Sequence, residues 1–372
     1  MSTIQQYALP GVQTMVAYEA GKPVEDIARE FGLSRISKLA SNENPLGCSP
    51  RAQAAMGQGV EWARYPDGAG YALKSALSER FGVGREQITL GNGSNDVLEL
   101  LARSFLCSGR NAVASAHAFA VYGLATKACS AELREVPALA ADHPQQPYGH
   151  DLPAFVQHVD DDTRLVFVAN PNNPTGTWVE VQQIEDLLQS LPEHCLLVLD
   201  EAYLEYQPEQ AQPPVQEWLR KYPNLVVTRT FSKAYGLASL RIGYALSSPE
   251  VADLLNRVRQ PFNNNQLALV AAEASLGDAD FIRESVAVNA HGMTQLQEGL
   301  AKLGLHCLPS RANFLCVDMG QPGRPLFEKL LREGVIVRPV GGYGLPNFLR
   351  ISIGTESENA HCLEALTRVL AA

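Results

Sequence analysis

Five short apolar runs, ITL (88–90), AVAS (112–115), LVFVA (165–169), LLVL (196–199) and LVVT (225–228), constrain this chain more than any other feature. Helix-like segments such as DVLELLARSF lie between many of them. A strand covered by helices on both faces reads as an unbroken apolar run rather than an alternating one. The alternation of such runs with helical segments predicts an α/β fold in which helices wrap a mostly parallel sheet. Polar or glycine-rich clusters follow four of the runs at once: GNGSND, NPNNPTG, DEAY and RTFSK. In open α/β sheets ligands bind beyond the carboxyl ends of the strands, so four such clusters can meet at one crevice.

The chain has 372 residues, more than the roughly 250–300 at which single cores divide, so two lobes are expected. After residue 262 the texture changes to a long helical stretch, Asp280 to Leu303, followed by NFLCVDM, GVIVRPV and FLRISIG, which read as strands of a smaller α+β lobe. The expected division is an N-terminal arm over 1–45 that packs with the small domain, a large domain over 46–262, and a small C-terminal domain over 263–372. Within the arm VEDIAREFG reads as a helix and SNENPLG as extended chain, since Pro45 bars Asn44 from helical conformations.

A formal net charge of -10 argues against a protein that coats nucleic-acid phosphates, whose affinity comes from Lys and Arg. No leader-like start and no apolar run long enough to span a bilayer stand in the sequence, so a cytoplasmic enzyme is expected. Seven singly scattered cysteines read as reduced, mostly buried residues, and no His or Cys pairing suggests a metal.

The stretch TFSKAYGLASLRIGY (230–244) sets Lys233 after two hydroxyl residues, Thr230 and Ser232, and ahead of Arg241. A lysine amine becomes a nucleophile when neutral, and burial beside other cations moves its pKa that way. Such an amine joins an aldehyde. If the aldehyde is that of pyridoxal phosphate, the other clusters offer what the cofactor needs. Asp200 stands where LLVL ends, and its carboxylate suits a protonated pyridine nitrogen. Tyr203 suits the ring's phenolic oxygen, and Asn173, presented by the stiff NPNNPTG turn, has an amide that donates to the same oxygen. GNGSND separates a strand from a helix, so the backbone N–H groups of Ser94 and Asn95 face a phosphate at the helix's positive end. Thr230, Ser232 and Arg241 complete that cup. A dinucleotide-binding turn at GNGSND lacks its third glycine and leaves Lys233, Asp200 and Asn173 without a task.

From KLASNENPLG through RYPDG, GNGSND, NPNNPTG, DEAY, TFSKAYGLASLRIGY and GVIVRPV to FLRISIGT, the chain resembles the pyridoxal-phosphate-dependent aminotransferases of fold type I. Within them it is most similar to the branch acting on histidinol phosphate. The resemblance implies a large domain on a mostly parallel seven-stranded sheet and a smaller α+β domain. It implies that Lys233 carries the cofactor, Asp200 pairs with the pyridinium, Asn173 and Tyr203 hold the phenolic oxygen, and Arg241 grips the phosphate. Phe119, in HAFAVY, matches the aromatic position stacked on the ring, where many relatives place Tyr or Trp; Phe stacks but forms no hydrogen bond. Tyr65, in RYPDG, matches a residue that reaches the phosphate in the neighbouring subunit, which implies a homodimer with shared active sites. Tyr18, Asn44, Arg338 and Arg350 match substrate-contacting positions. The implied reaction is transamination between histidinol phosphate and 2-oxoglutarate, giving imidazole acetol phosphate and glutamate in histidine biosynthesis. An aromatic amino acid aminotransferase and a threonine-phosphate decarboxylase-like lyase stay open, because the same arginines suit a carboxylate or a phosphate.

Overall fold

The structure is a computed structural model and describes residues 4–16 and 23–371. Its strands are β1 (Ser37–Lys38), β2 (Ile88–Gly91), β3 (Asn111–Ser115), β4 (Glu132–Val136), β5 (Thr163–Ala169), β6 (Leu196–Asp200), β7 (Leu225–Thr230), β8 (Gly243–Leu246), β9 (His306–Cys307), β10 (Phe314–Asp318), β11 (Val335–Ile336), β12 (Arg338–Pro339) and β13 (Phe348–Ser352). Seven of them form the large sheet in the order β2-β8-β7-β6-β5-β3-β4. Only β8 runs antiparallel to its neighbours there.

The unbroken apolar runs follow from coverage on both faces. Along β5, Leu165 and Phe167 enter one core while Val166 and Val168 enter the other; along β6, Val198 and Leu197 divide in the same way. Successive side chains point to opposite faces of a strand, so one run serves two cores, each buried Val or Leu contributing roughly 1.5–3 kcal/mol. Sequence reading passed over β4 and β8. The ELREV of β4 lies at the sheet edge and is half open to solvent, so it carries no apolar run. The GYAL of β8 is fully buried but short, and it is embedded in the lysine stretch.

The small lobe holds a sheet in the order β12-β13-β10-β9, with β13 antiparallel to both neighbours. Leu315, Val317, Leu349 and Ile351 of this sheet pack with Leu296, Leu330 and Leu366 from three helices. The arm joins this lobe: β1 pairs parallel with β11, and Ile27 of helix Val24–Phe31 packs on Leu331 and Ile336.

One boundary falls elsewhere than expected. Helix Gln266–Leu276 lies within the expected small domain, 263–372, yet its Ala268, Leu269, Ala271 and Ala272 belong to the same core as Leu73 and Leu77 of the large lobe. The chain changes lobe along helix Ala279–Lys302, whose Leu296 and Leu300 enter the small-lobe core. The alanine-rich QLALVAAEASL is apolar nearly all round, so its periodicity names no partner. Of the cysteines, Cys195, Cys316 and Cys362 are buried, whereas Cys48, Cys129 and Cys307 are half-buried and Cys107 is exposed. Among the described residues no helix is long and apolar enough to cross a membrane.

Candidate active site

Strand β7 ends at Thr230, and the loop after it carries Lys233 into the space between the lobes. Gly236 fixes the path of that loop: at φ 69° a Cβ there would stand 1.8 Å from the carbonyl oxygen of Gly47, so the strap after β1 crosses it in direct contact. Lys233 Nζ donates to the Ser41 carbonyl at 3.0 Å. Burial lowers its pKa from 10.5 to about 8, and the Arg350 and Arg241 guanidiniums push the same way, against Glu43 and Asp200. Both conditions that make a lysine nucleophilic are met together.

Asp200 and Glu201 are consecutive and buried, and their surroundings differ. Glu201 Oε2 accepts from Arg229 Nε at 2.8 Å and lies 2.7 Å from its Nη2, so its charge is paired with a buried cation even though its Oε1 has no hydrogen-bond partner. Asp200 Oδ2 accepts from the Tyr122 hydroxyl at 2.8 Å, while its Oδ1 is buried with no hydrogen-bond partner. Burial raises the Asp200 carboxyl above its usual range, against the hydrogen bonds that lower it. A buried acceptor oxygen without a donor is costly, so the site favours a proton-bearing or cationic group beside Asp200.

Opposite, helix Ser94–Phe105 begins after Gly93, which has φ 82°. The first amides of a helix have no carbonyl partner within it and carry its positive end. Asp96 does not close this end, because its Oδ2 accepts from Asn92 N at 2.8 Å and Asn263 Nδ2 at 2.9 Å. Arg241 sits in a left-handed conformation, φ 56°, and its Nη1 donates to Ser232 Oγ at 3.4 Å and the Ala238 carbonyl at 3.1 Å. A Cβ on Gly93 would stand 2.4 Å from Arg241 Nη2, so only glycine lets the guanidinium approach the helix end. Thr230 Oγ1 accepts from Ser232 N at 3.1 Å and completes this cup. The arrangement suits a phosphate.

The strap over residues 40–44 ties the two lobes at the site. The Ala40 carbonyl accepts from Arg350 Nη2 at 2.7 Å, and Asn173 Oδ1 accepts from Arg350 Nη1. With its oxygen so engaged, Asn173 keeps its Nδ2 as the group able to donate elsewhere. The Tyr203 hydroxyl accepts from Asn42 Nδ2 at 2.9 Å, and burial pushes its pKa up to about 12. Asn44, assigned above to the substrate, is differently placed: its Nδ2 donates to the Ala234 carbonyl and Ser285 Oγ, both at 2.8 Å, and its Oδ1 accepts from Leu46 N at 3.0 Å. Its amide is engaged by the chain itself, and Asn44 clamps the strap to the lysine loop.

Arg338 and Arg350 face each other across the antiparallel pair β12 and β13. Like charges directly opposite repel, which an anion between them relieves. Arg350 is buried, and its Nε has no partner. Arg338 lines a cavity of about 1030 Å³ together with Phe119, Tyr122, Tyr343, Met15 and Val16. Tyr18 lies outside the described residues. Tyr65 stands apart on the surface, 81% exposed, its ring stacked on Phe262 with centroids 4.6 Å apart.

The family model of class I and II aminotransferases matches residues 34–366. The chain belongs to the class I and II aminotransferases. Histidinol-phosphate aminotransferase 2 of Pseudomonas fluorescens is 57% identical over 367 residues, 98% of this chain and 97% of that one. Its namesake in Pseudomonas aeruginosa is 54% identical over the whole of both chains. Among solved structures, histidinol-phosphate aminotransferase from Sinorhizobium meliloti in complex with pyridoxal-5'-phosphate superposes with a TM-score of 0.89 at 32% identity, over 98% of each chain.

Two residues of this aminotransferase's site escaped sequence reading. Tyr122 holds Asp200, but a tyrosine on a helix that also stacks on Phe167, at 4.7 Å between centroids, carries the signature of core packing. Asn42 holds Tyr203 from a position that is 1% exposed with φ 55°. The only signal in the sequence is its place in the extended, proline-containing SNENPLG, which points to Asn44 as readily.

Proposed function

We infer that this aminotransferase moves an amino group between histidinol phosphate and 2-oxoglutarate on pyridoxal 5'-phosphate, giving imidazole acetol phosphate and glutamate. The observation that carries this reading is the convergence of a depressed lysine, an unpaired buried carboxylate oxygen and an open helix end on one crevice. The group fits these residues. The Asp200 oxygen lacks a donor, which a protonated ring nitrogen supplies, and the cradle of Ser94, Asn95, Thr230, Ser232 and Arg241 suits its phosphate. Phe119 offers a ring face, and Asn173 and Tyr203 offer donors for the phenolic oxygen.

Bound there, pyridoxal 5'-phosphate supplies an aldehyde for an amine and a ring that draws electrons from the substrate carbon. Lys233 holds that aldehyde until the amino donor displaces its amine. The freed Nζ, whose burial favours the neutral amine, then takes a proton from the substrate carbon and returns it to the neighbouring position. Asp200 would keep the ring nitrogen protonated through one charge-assisted hydrogen bond. Arg350 and Arg338 bind the substrate's anionic ends, the phosphate of histidinol phosphate in one half-reaction and the carboxylates of glutamate in the other.

The same reading makes the molecule a homodimer. The exposed stacked pair Tyr65 and Phe262, with Trp62 nearby in sequence and equally open, forms an aromatic surface that a second copy would cover. Its place is the cytoplasm, which the seven free thiols support.

An amino-donor panel tests the substrate. Histidinol phosphate is expected to exceed phenylalanine and tyrosine in kcat/KM by roughly 100-fold or more, since arginines left without their anion penalise the wrong donor. Equal rates with phenylalanine, or carbon dioxide release from threonine phosphate, would overturn the assignment.

A further inference from the structure

Buried Asn42 makes four hydrogen bonds, two through its backbone and two through its side-chain amide, that together decide which way the amide faces. Its backbone N–H donates to Ser352 Oγ at 2.8 Å, and its carbonyl accepts from Asn313 Nδ2 at 3.0 Å. Ser352 Oγ, which accepts there, donates its own proton to Asn42 Oδ1 at 2.9 Å. The NH₂ end of Asn42 therefore faces Tyr203, whose hydroxyl oxygen it reaches at 2.9 Å. An amide NH₂ only donates, so the tyrosine acts as acceptor in this contact and its own proton is left for another partner. That tyrosine ring lies beside Lys233, whose Nζ is 5.9 Å from the ring centroid. The left-handed backbone at Asn42, φ 55°, is one that asparagine adopts more readily than most residues, and it holds the amide between the lobes.

We propose that Asn42 is a positioning residue: it fixes the Tyr203 hydroxyl as a proton donor into the site, toward the phenolic oxygen of the cofactor. This rests on the cofactor reading above. Each hydrogen bond to that oxygen stabilises its anionic form, and a hydroxyl that accepts from an amide is itself a stronger donor. Ser352 and Arg350 stand two apart on β13 and project from the same face of the strand. The substrate-binding arginine and the tyrosine hydroxyl are thus referred to one strand of the small lobe through Asn42.

The test is a pH titration of the cofactor's visible absorbance in the full-length holoprotein, with thermal unfolding of the cofactor-free form alongside. Asn42→Gly suits the left-handed backbone and removes the amide. Its absorbance midpoint is expected to rise by about half a pH unit or more, in the direction of Tyr203→Phe. Asn42→Asp still accepts from Ser352 but offers Tyr203 only acceptors, so it draws the tyrosine proton away and shifts the midpoint at least as far. Added to Tyr203→Phe, either change leaves the midpoint where it was, because the hydroxyl through which Asn42 acts is gone. A purely structural asparagine would lower the unfolding temperature and leave the absorbance midpoint of the folded variants unmoved, which overturns the proposal. Shifts that add to that of Tyr203→Phe overturn it as well. A wild-type protein that gains no visible absorbance with pyridoxal 5'-phosphate would instead defeat the cofactor reading on which the proposal stands.

Discussion

The end of the crevice we assign to the cofactor and the end we assign to the substrate are built in opposite ways. At the cofactor end Asp200, Thr230, Ser232, Lys233 and the Ser94 helix stand at or just after the ends of neighbouring strands of one large-lobe sheet, so their positions are set by a shared core. At the substrate end Arg350 on β13 is held by Asn173 from the large lobe and by Ala40 from the strap, while Arg338 faces a cavity shared with the arm. One end is the edge of a single sheet; the other is assembled from three chain regions.

The contrast predicts separable losses. Asp200→Ala should give the largest, about 10³-fold in kcat, because it removes charge stabilisation in a buried site. Tyr203→Phe should cost only about tenfold, since Asn173 remains to serve the same oxygen. Steady-state rates of the two variants check the ranking, and equal small losses would break it. Next come the arginines. Arg350→Lys should raise KM for the phosphorylated donor by about 10–100-fold and leave cofactor affinity unchanged; Arg241→Lys should do the reverse. Equilibrium titration of cofactor beside substrate kinetics separates the two, and a variant that moved both constants together would merge the two ends.

The lysine gives a pH prediction of intermediate size. Its amine is neutral above about 8 rather than 10.5, so the rate at which the cofactor-free protein takes up the aldehyde should rise with pH to a midpoint near 8. A lysine whose folded pKa is depressed also destabilises the protein fully below about 8, and that penalty fades as pH climbs toward 10.5, where the unfolded chain loses its proton too. Replacing Lys233 by Met should therefore raise the unfolding temperature of the cofactor-free protein at pH 7 and less so at pH 10. The smallest effect is expected at the surface: Tyr65→Ala should weaken self-association in light scattering and loosen cofactor binding by only a few-fold, as an exposed aromatic contact contributes about 1 kcal/mol.

The same contrast explains what could be read from the chain. Asp200 and Lys233 were legible because an apolar strand announces where the polar residue after it must emerge. GNGSND was legible because a helix start has its own chemistry. Asn42 was not, since its role depends on Ser352 and Tyr203, which lie 310 and 161 residues away in sequence. Asn44 reads as a substrate contact for the same reason: nothing local reveals that Ala234 and Ser285 engage its amide. Helix Gln266–Leu276 shows this at the level of the fold, because an almost uniformly apolar helix carries no mark of which lobe it joins.

The central claim is that the Lys233 amine bonds the cofactor aldehyde at the end of β7. Borohydride reduction of the cofactor-loaded protein, followed by peptide mass spectrometry, tests it directly. The account predicts loss of the visible absorbance and a phosphopyridoxyl mass fixed on the peptide that contains Lys233. The same mass on another lysine, or no fixed mass with the absorbance intact, would contradict it.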